Sequence, residues 1–146
     1  MGTVTRAYNN DFMVKSISVN GNPVNITYDN DGLISAAGSL TVTRNAQNGF
    51  MTGTSLGSVT DSYTYDSFGQ MTAYTAKISG AAAYGVQFQY DAIGRITRKT
   101  ETTGGVATTY DYTSNVSGFL TAVKENGVTV STYDYDSNGN RISAIT

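Results

Sequence analysis

Three stretches of the chain are near-copies of one phrase: YTYDSFGQMTAYT from Tyr63, FQYDAIGRITRKT from Phe88 and YDYDSNGNRISAIT from Tyr133. A phrase that returns this closely within 146 residues means tandem copies of one supersecondary unit, none of which can bury its apolar face alone. The better-kept copies read aromatic-x-Tyr-Asp-x-x-Gly-x-aliphatic-Thr/Ser. The closing glycine recurs at Gly32, Gly49, Gly69, Gly94, Gly118 and Gly139. An eroded copy is centred on Asp11, because VTRAYNNDFM (Val4 to Met13) aligns with VTRNAQNGFM (Val42 to Met51). Residues 1–146 therefore read as a single array of about seven units, the better-kept ones from about residue 63 onward.

The phrase carries its own secondary structure. Tyr63 and Tyr65, Phe88 and Tyr90, Tyr110 and Tyr112, and Tyr133 and Tyr135 stand two residues apart, which places each pair on one face of a strand. After the glycine, Met71 with Ala73, Leu120 with Ala122 and Ile142 with Ala144 alternate in the same way. Asp-x-x-Gly between two such runs predicts a hairpin: Asp accepts local backbone hydrogen bonds and Gly takes a positive φ. A second set of turn signals falls about ten residues further on, at Asn20-Gly21, Gly80, Gly104-Gly105 and Asn126-Gly127. Each unit then supplies two strands, and the chain reads as an all-β antiparallel meander of about a dozen or more strands. One segment, ISGAAAYG from Ile78 to Gly85, reads as capable of a turn of helix.

Composition removes much chemistry. His, Cys and Trp are absent, whereas Tyr occurs 11 times. Without His there is no imidazole base and no Ser-His-Asp activation; without His and Cys there is no ordinary zinc site. Only 14% of residues are charged and the net charge is −2, so no basic field exists for nucleic acid. No apolar run approaches membrane-spanning length, and MGTVTRAYNN lacks the basic-then-apolar form of a signal peptide.

The phrases YDSFGQMT, YDAIGRIT and YDSNGNRIS resemble the YD repeats of bacterial Rhs proteins, of insecticidal toxin-complex B and C components, of wall-associated proteins and of teneurins. Tyr28-Asp29-Asn30-Asp31-Gly32-Leu33 is a fair copy, and the units at Asp11, Gly49 and Gly118 are degenerate. In the Gly118 unit Tyr112 is followed by Thr113, and two extra residues precede the glycine. The resemblance implies a sheet of hairpins that curls or spirals into a partial shell, which in Rhs and toxin-complex proteins surrounds a toxin. It also implies a parent that is secreted or on the cell surface. The partners it implies are neighbouring repeats, or a second copy meeting the edge strands near Thr3 to Tyr8 and Arg141 to Thr146, together with an enclosed polypeptide. The residues carried over are structural: Tyr28, Asp29, Gly32, Tyr65, Asp66, Gly69, Tyr90, Asp91, Gly94, Tyr112, Gly118, Tyr135, Asp136 and Gly139. The pattern's self-cleaving core is absent, since Pro23 is the only proline.

Other readings compete for the same residues. A tyrosine face or turn rim suits carbohydrate or protein, since Tyr offers a ring and a hydroxyl; a regular ladder instead favours cross-strand stabilisation. The degenerate units at Arg44 to Gly49 and Thr113 to Phe119 are where a binding module would depart from the rule. Asp134-x-Asp136-x-Asn138-Gly139 matches half of a calcium loop, but Ile145 stands where the bidentate Glu belongs. Asp66, Asp91 and Asp136 form a row of identical turn residues, and a glycosidase needs two carboxyls in different environments. Arg95 and Arg141 are expected to pair with these rim carboxylates. The expectation is a structural wall segment with no catalytic residues, no metal and no cofactor.

Overall fold

A computed structural model of the chain describes residues Gly2–Ile145. Met1 and Thr146, the last residue of the predicted C-terminal edge, lie outside the described residues. The strands are β1 (Val4–Tyr8), β2 (Val14–Val19), β3 (Asn22–Tyr28), β4 (Ile34–Ala37), β5 (Leu40–Arg44), β6 (Met51–Leu56) and β7 (Val59–Tyr65). They continue as β8 (Met71–Ile78), β9 (Ala81–Tyr90), β10 (Ile96–Thr103), β11 (Val106–Ser114), β12 (Leu120–Glu125), β13 (Val128–Tyr135) and β14 (Arg141–Ile145). They form one 14-stranded sheet whose order is the chain order, β1 through β14. The meander is open: among the described residues β1 pairs only with β2 and β14 only with β13.

Two kinds of turn alternate along the meander. Asn20-Gly21 (φ 51 and 83), Ser79-Gly80 (50 and 82), Gly104-Gly105 (57 and 83) and Asn126-Gly127 (48 and 84) each hold two successive positive φ values. That is the requirement of a type I′ hairpin, whose twist matches that of the strands it joins. The Ser79-Gly80 turn is also why the helix expected within Ile78–Gly85 does not form. Ile78 closes β8, Ala81 opens β9, and Ala82 and Ala83 belong to that strand. The other kind of turn is the Asp-x-x-Gly phrase, at which the pairing slips by one residue: Tyr28 faces Ile34, Tyr90 faces Ile96 and Tyr135 faces Arg141.

The chain divides into two compact units, residues 1–62 with 77–80 and residues 63–76 with 81–146. In the first, register places Ile17, Val24, Ile26, Leu40 and Val42 on one face and Ser16, Ser18, Thr27, Ser35 and Thr41 on the other. Hydroxyls on the polar face meet across strands, as with Thr27 and Ser35 at 3.0 Å. In the second unit Val86, Phe88, Tyr90, Tyr110 and Tyr112 share a face, opposite Gln87, Gln89, Arg98, Thr109 and Asp111. Within either unit no second layer covers the sheet. Accordingly Val86, 7% exposed, is the one buried hydrophobic side chain among the described residues. Cohesion comes from neighbours on the same face, such as Tyr63 with Tyr74 at 5.0 Å and Tyr74 with Tyr84 at 6.2 Å between ring centroids. Such cross-strand pairs contribute about 0.2–1 kcal/mol each.

Candidate functional site

Where units follow one another the chain builds the same rim three ways. The first is a clasp within the turn. At Asp91 one carboxylate oxygen, Oδ1, accepts the N–H of Ile93 (3.1 Å) and of Arg95 (2.9 Å). The Asp91 N–H donates to the Arg95 carbonyl (2.9 Å), and the Gly94 N–H donates to the Asp91 carbonyl (3.0 Å). Asp29, Asp66 and Asp136 do the same, with Oδ1 distances between 2.8 and 3.0 Å. The geometry is that of an Asx turn closed by a residue in the left-handed region, and glycine supplies it at φ 76, 81, 83 and 83.

The second is a rung between successive turns. The hydroxyl of Tyr90, the residue before Asp91, donates to the backbone carbonyl of Met71 at 2.7 Å. Met71 lies two residues past Gly69, the glycine of the preceding turn. Tyr28 donates in the same way to Val14 (2.8 Å) and Tyr135 to Leu120 (2.8 Å). The third is a side chain laid over the next glycine. A Cβ on Gly49 would sit 3.2 Å from Leu33, one on Gly94 2.8 Å from Gln70, one on Gly118 3.4 Å from Arg95 and one on Gly139 2.6 Å from Phe119. In each case the approaching residue directly follows the preceding turn's glycine. The phrase thus needs glycine twice over, for its φ and for the space above it.

This arrangement of clasped hairpins can be set against known proteins. A profile of the Teneurin YD-shell family matches residues 2–146. The chain belongs to the Teneurin YD-shell family. No curated protein matches it by sequence. Among solved structures, the YD-shell chain is similar to the Tc holotoxin pore of Photorhabdus luminescens, with a TM-score of 0.58 at 9% identity over 94% of its length. It is also similar to the crystal structure of TcdB2-TccC3-TEV, with a TM-score of 0.59 at 11% identity over 94% of its length. It spans only 12% and 10% of those two chains. At these identities the likeness shows the fold. The family and fold together make this chain a structural shell segment.

The YD-shell register also corrects several readings of the sequence. The first clasp is centred on Asn9, whose Oδ1 accepts from Asp11 (3.0 Å) and Met13 (2.9 Å). Its left-handed residue is Phe12, φ 60, not Asp11, so the alignment that put Asp11 at the glycine position was one residue out. In the Gly118 unit no residues are inserted. Asn115 holds the Asp position and accepts from Ser117 and Phe119 at 3.0 Å each, while Ser114, facing Leu120, holds the Tyr position. Tyr112 therefore stands two residues upstream, at the place of Phe88. In the Gly49 unit Asn45 clasps a turn longer by one residue, accepting from Gln47 and Asn48. Arg44 there takes the tyrosine's role: its Nη2 donates to Ile34 O at 3.4 Å, the carbonyl two residues past Gly32. The signal for all three lay in the chemistry of Asn, whose Oδ1 accepts as an aspartate oxygen does.

Two of the turn carboxylates, Asp91 and Asp136, have a further partner at the rim. Asp91 binds Arg95 Nε at 2.7 Å, and the Arg95 backbone N–H, then its guanidinium, hold the carboxyl below its ordinary value. Among the described residues Arg141 pairs with no carboxylate; its guanidinium lies 5.7 Å over the Tyr133 ring. Asn140 occupies the place of Arg95 and donates its amide to Asp136 Oδ2 (3.0 Å), and that amide, then the Asn140 backbone N–H, lowers the Asp136 carboxyl. Asp134 accepts from the Ser143 hydroxyl (2.7 Å) through Oδ2, so of the half calcium loop both Asp136 oxygens serve the turn and one Asp134 oxygen serves the neighbouring strand. Among the described residues no group of three or more acidic side chains gathers as a metal site.

Proposed function

We propose that residues 1–146 are one continuous array within a longer YD-repeat wall, whose edge strands β1 and β14 are continued by neighbouring repeats and whose role is enclosure. The observation that carries this reading is the rim itself. Tyr28, Tyr90 and Tyr135 each tie a turn to the one before it, a linkage that extends as far as repeats are added and has no natural end. The Asp, Gly and Tyr positions of the repeat phrase act in it as structural residues, with Ser114 standing where Tyr112 was expected and Arg44 standing in for a tyrosine. A parent of the toxin-complex kind would hold a polypeptide inside such a wall and would be secreted or displayed at the surface.

Two further features support a passive role. Asp66, Asp91 and Asp136 are each occupied by their own turn's N–H groups, which is the work of a turn residue rather than of an acid or base. The hydroxyls of Tyr28, Tyr90 and Tyr135 give their protons to main-chain carbonyls, so their donors serve the wall itself. The test is solution mass by light scattering across a concentration series. An open wall segment gains mass with concentration as its edges pair; one monomeric mass at every concentration overturns the edge-continuation reading.

A further inference from the structure

We propose that the Ser114 position is a receptor notch for a phenol side chain, namely a tyrosine presented by polypeptide lying on the aromatic face. The observation is an omitted rung. Tyr28, Arg44, Tyr90 and Tyr135 stand at equivalent register positions and each donates to the carbonyl two residues past the preceding turn's left-handed residue: Val14, Ile34, Met71 and Leu120. By the same register Ser114 faces Leu120 and should serve Ile96, two residues past Gly94. A serine side chain is far too short to do so.

A notch lies on the same face beside Leu120, the residue that Ser114 faces. It is about 200 Å³ in volume, walled by Phe88, Ile96, Lys99, Tyr112 and Leu120. Ile96, whose carbonyl the register makes the acceptor, is one of its walls, and Tyr112 stands two residues before Ser114 as Phe88 does before Tyr90, whose ring it meets at 6.4 Å. At the next rung the Tyr135 ring stacks on Phe119 with centroids 4.9 Å apart, the kind of contact an incoming ring would make with Tyr112 or Phe88. The Lys99 ammonium at the wall is already engaged, by Glu101 at 3.3 Å and by the Tyr110 ring at 4.5 Å. It therefore calls for no anion, and a neutral phenol is the ligand that fits. The notch stands on the register alone. That a polypeptide supplies the phenol rests on the wall reading, which the light-scattering series tests separately.

The probe is 4-methylphenol, titrated into the whole chain while backbone amide and methyl resonances are followed. Saturable shifts confined to Ile96, Thr97, Leu120 and Thr121 are expected, with a dissociation constant of about 1 mM for so few atoms. Contacts from the probe's ring protons to the Ile96 and Leu120 methyls should appear in the native protein. Toluene, which lacks the hydroxyl, should bind about fivefold more weakly, the worth of one net hydrogen bond. Ser114→Tyr and Ser114→Phe should each abolish the shifts by filling the notch, and Ser114→Ala should retain them. Shifts that are scattered or never saturate, or that toluene reproduces at equal affinity, overturn the proposal. So does undiminished binding in a folded Ser114→Phe chain.

Discussion

The tyrosine rung can be tested by removing one atom at a time. In Tyr28→Phe, Tyr90→Phe and Tyr135→Phe the ring and its contacts remain, and only the O–H···O=C bond of 2.7–2.8 Å is lost. These bonds have ordinary hydroxyl–carbonyl lengths and lie on half-buried residues, so each should contribute the usual net of about 1 kcal/mol. For a chain of this size that is roughly 3 °C in Tm. The chain supplies its own control. Tyr8 occupies the same register position, facing Val14, but among the described residues no turn stands before β1, and Tyr8 is 57% exposed. Tyr8→Phe should therefore cost about nothing. Urea unfolding of the four variants, compared by midpoint at constant slope, decides the matter. If Tyr8→Phe loses as much as the other three, or if all four stay within about 0.3 kcal/mol of the parent, the rung does not hold the turns together.

The clasp predicts that Asp91→Asn is mild, below about 0.5 kcal/mol, because Asn9, Asn45 and Asn115 perform the same task; Asp91→Ala, which leaves two N–H groups without their acceptor, should cost about 1 kcal/mol as helix caps do. Equal losses for the two would remove the Oδ1 acceptor from the account. Stability should also depend on acid in one direction. Asp91 and Asp136 titrate below 3.8 in the fold, so their contribution is complete above the unfolded value and fades as pH falls through the lower folded values. Melting temperature should then drop below about pH 4, and less steeply in Asp91→Asn/Asp136→Asn; an unchanged acid limb in the double variant would count against this. On the alkaline side Tyr90 is raised above 10.0, by desolvation and then by the Asp66 charge. Its contribution is full below the unfolded value and is lost as pH rises through the folded one, where the phenolate can no longer donate, and Tyr90→Phe should flatten that limb. Finally, Gly139→Ala should be worse than Gly94→Ala. Both force a side chain to φ 83, at roughly 1 kcal/mol or more. The new Cβ at 139, however, meets the Phe119 ring at 2.6 Å, whereas at 94 it meets the movable Gln70 amide at 2.8 Å. The reverse order in thermal melts would argue against the packing over Gly139.

Much of this protein was legible from its amino-acid order. The period-two aromatic pairs, the Asp-x-x-Gly phrase and the Asn-Gly pairs announce strands and hairpins through local forces: side-chain alternation, an Asx acceptor, a residue free to take positive φ. Because each hairpin pairs with the next, local signals also gave the topology, an all-antiparallel sheet in chain order. What they could not give was register. A one-residue slip moves every side chain to the other face, and degenerate turns hide where the slip occurs. Only in three dimensions do Asn115 and Asn9 emerge as clasps, Phe12 as the left-handed residue, Arg44 as a substitute rung and Ser114 as an absent one. The tertiary structure also decided how the rim is joined. A tyrosine's partner is a carbonyl 14 to 19 residues back in the chain, and a glycine's neighbour is the side chain closing the turn before. Neither contact leaves a trace in local pattern, because each depends on two strands being placed side by side.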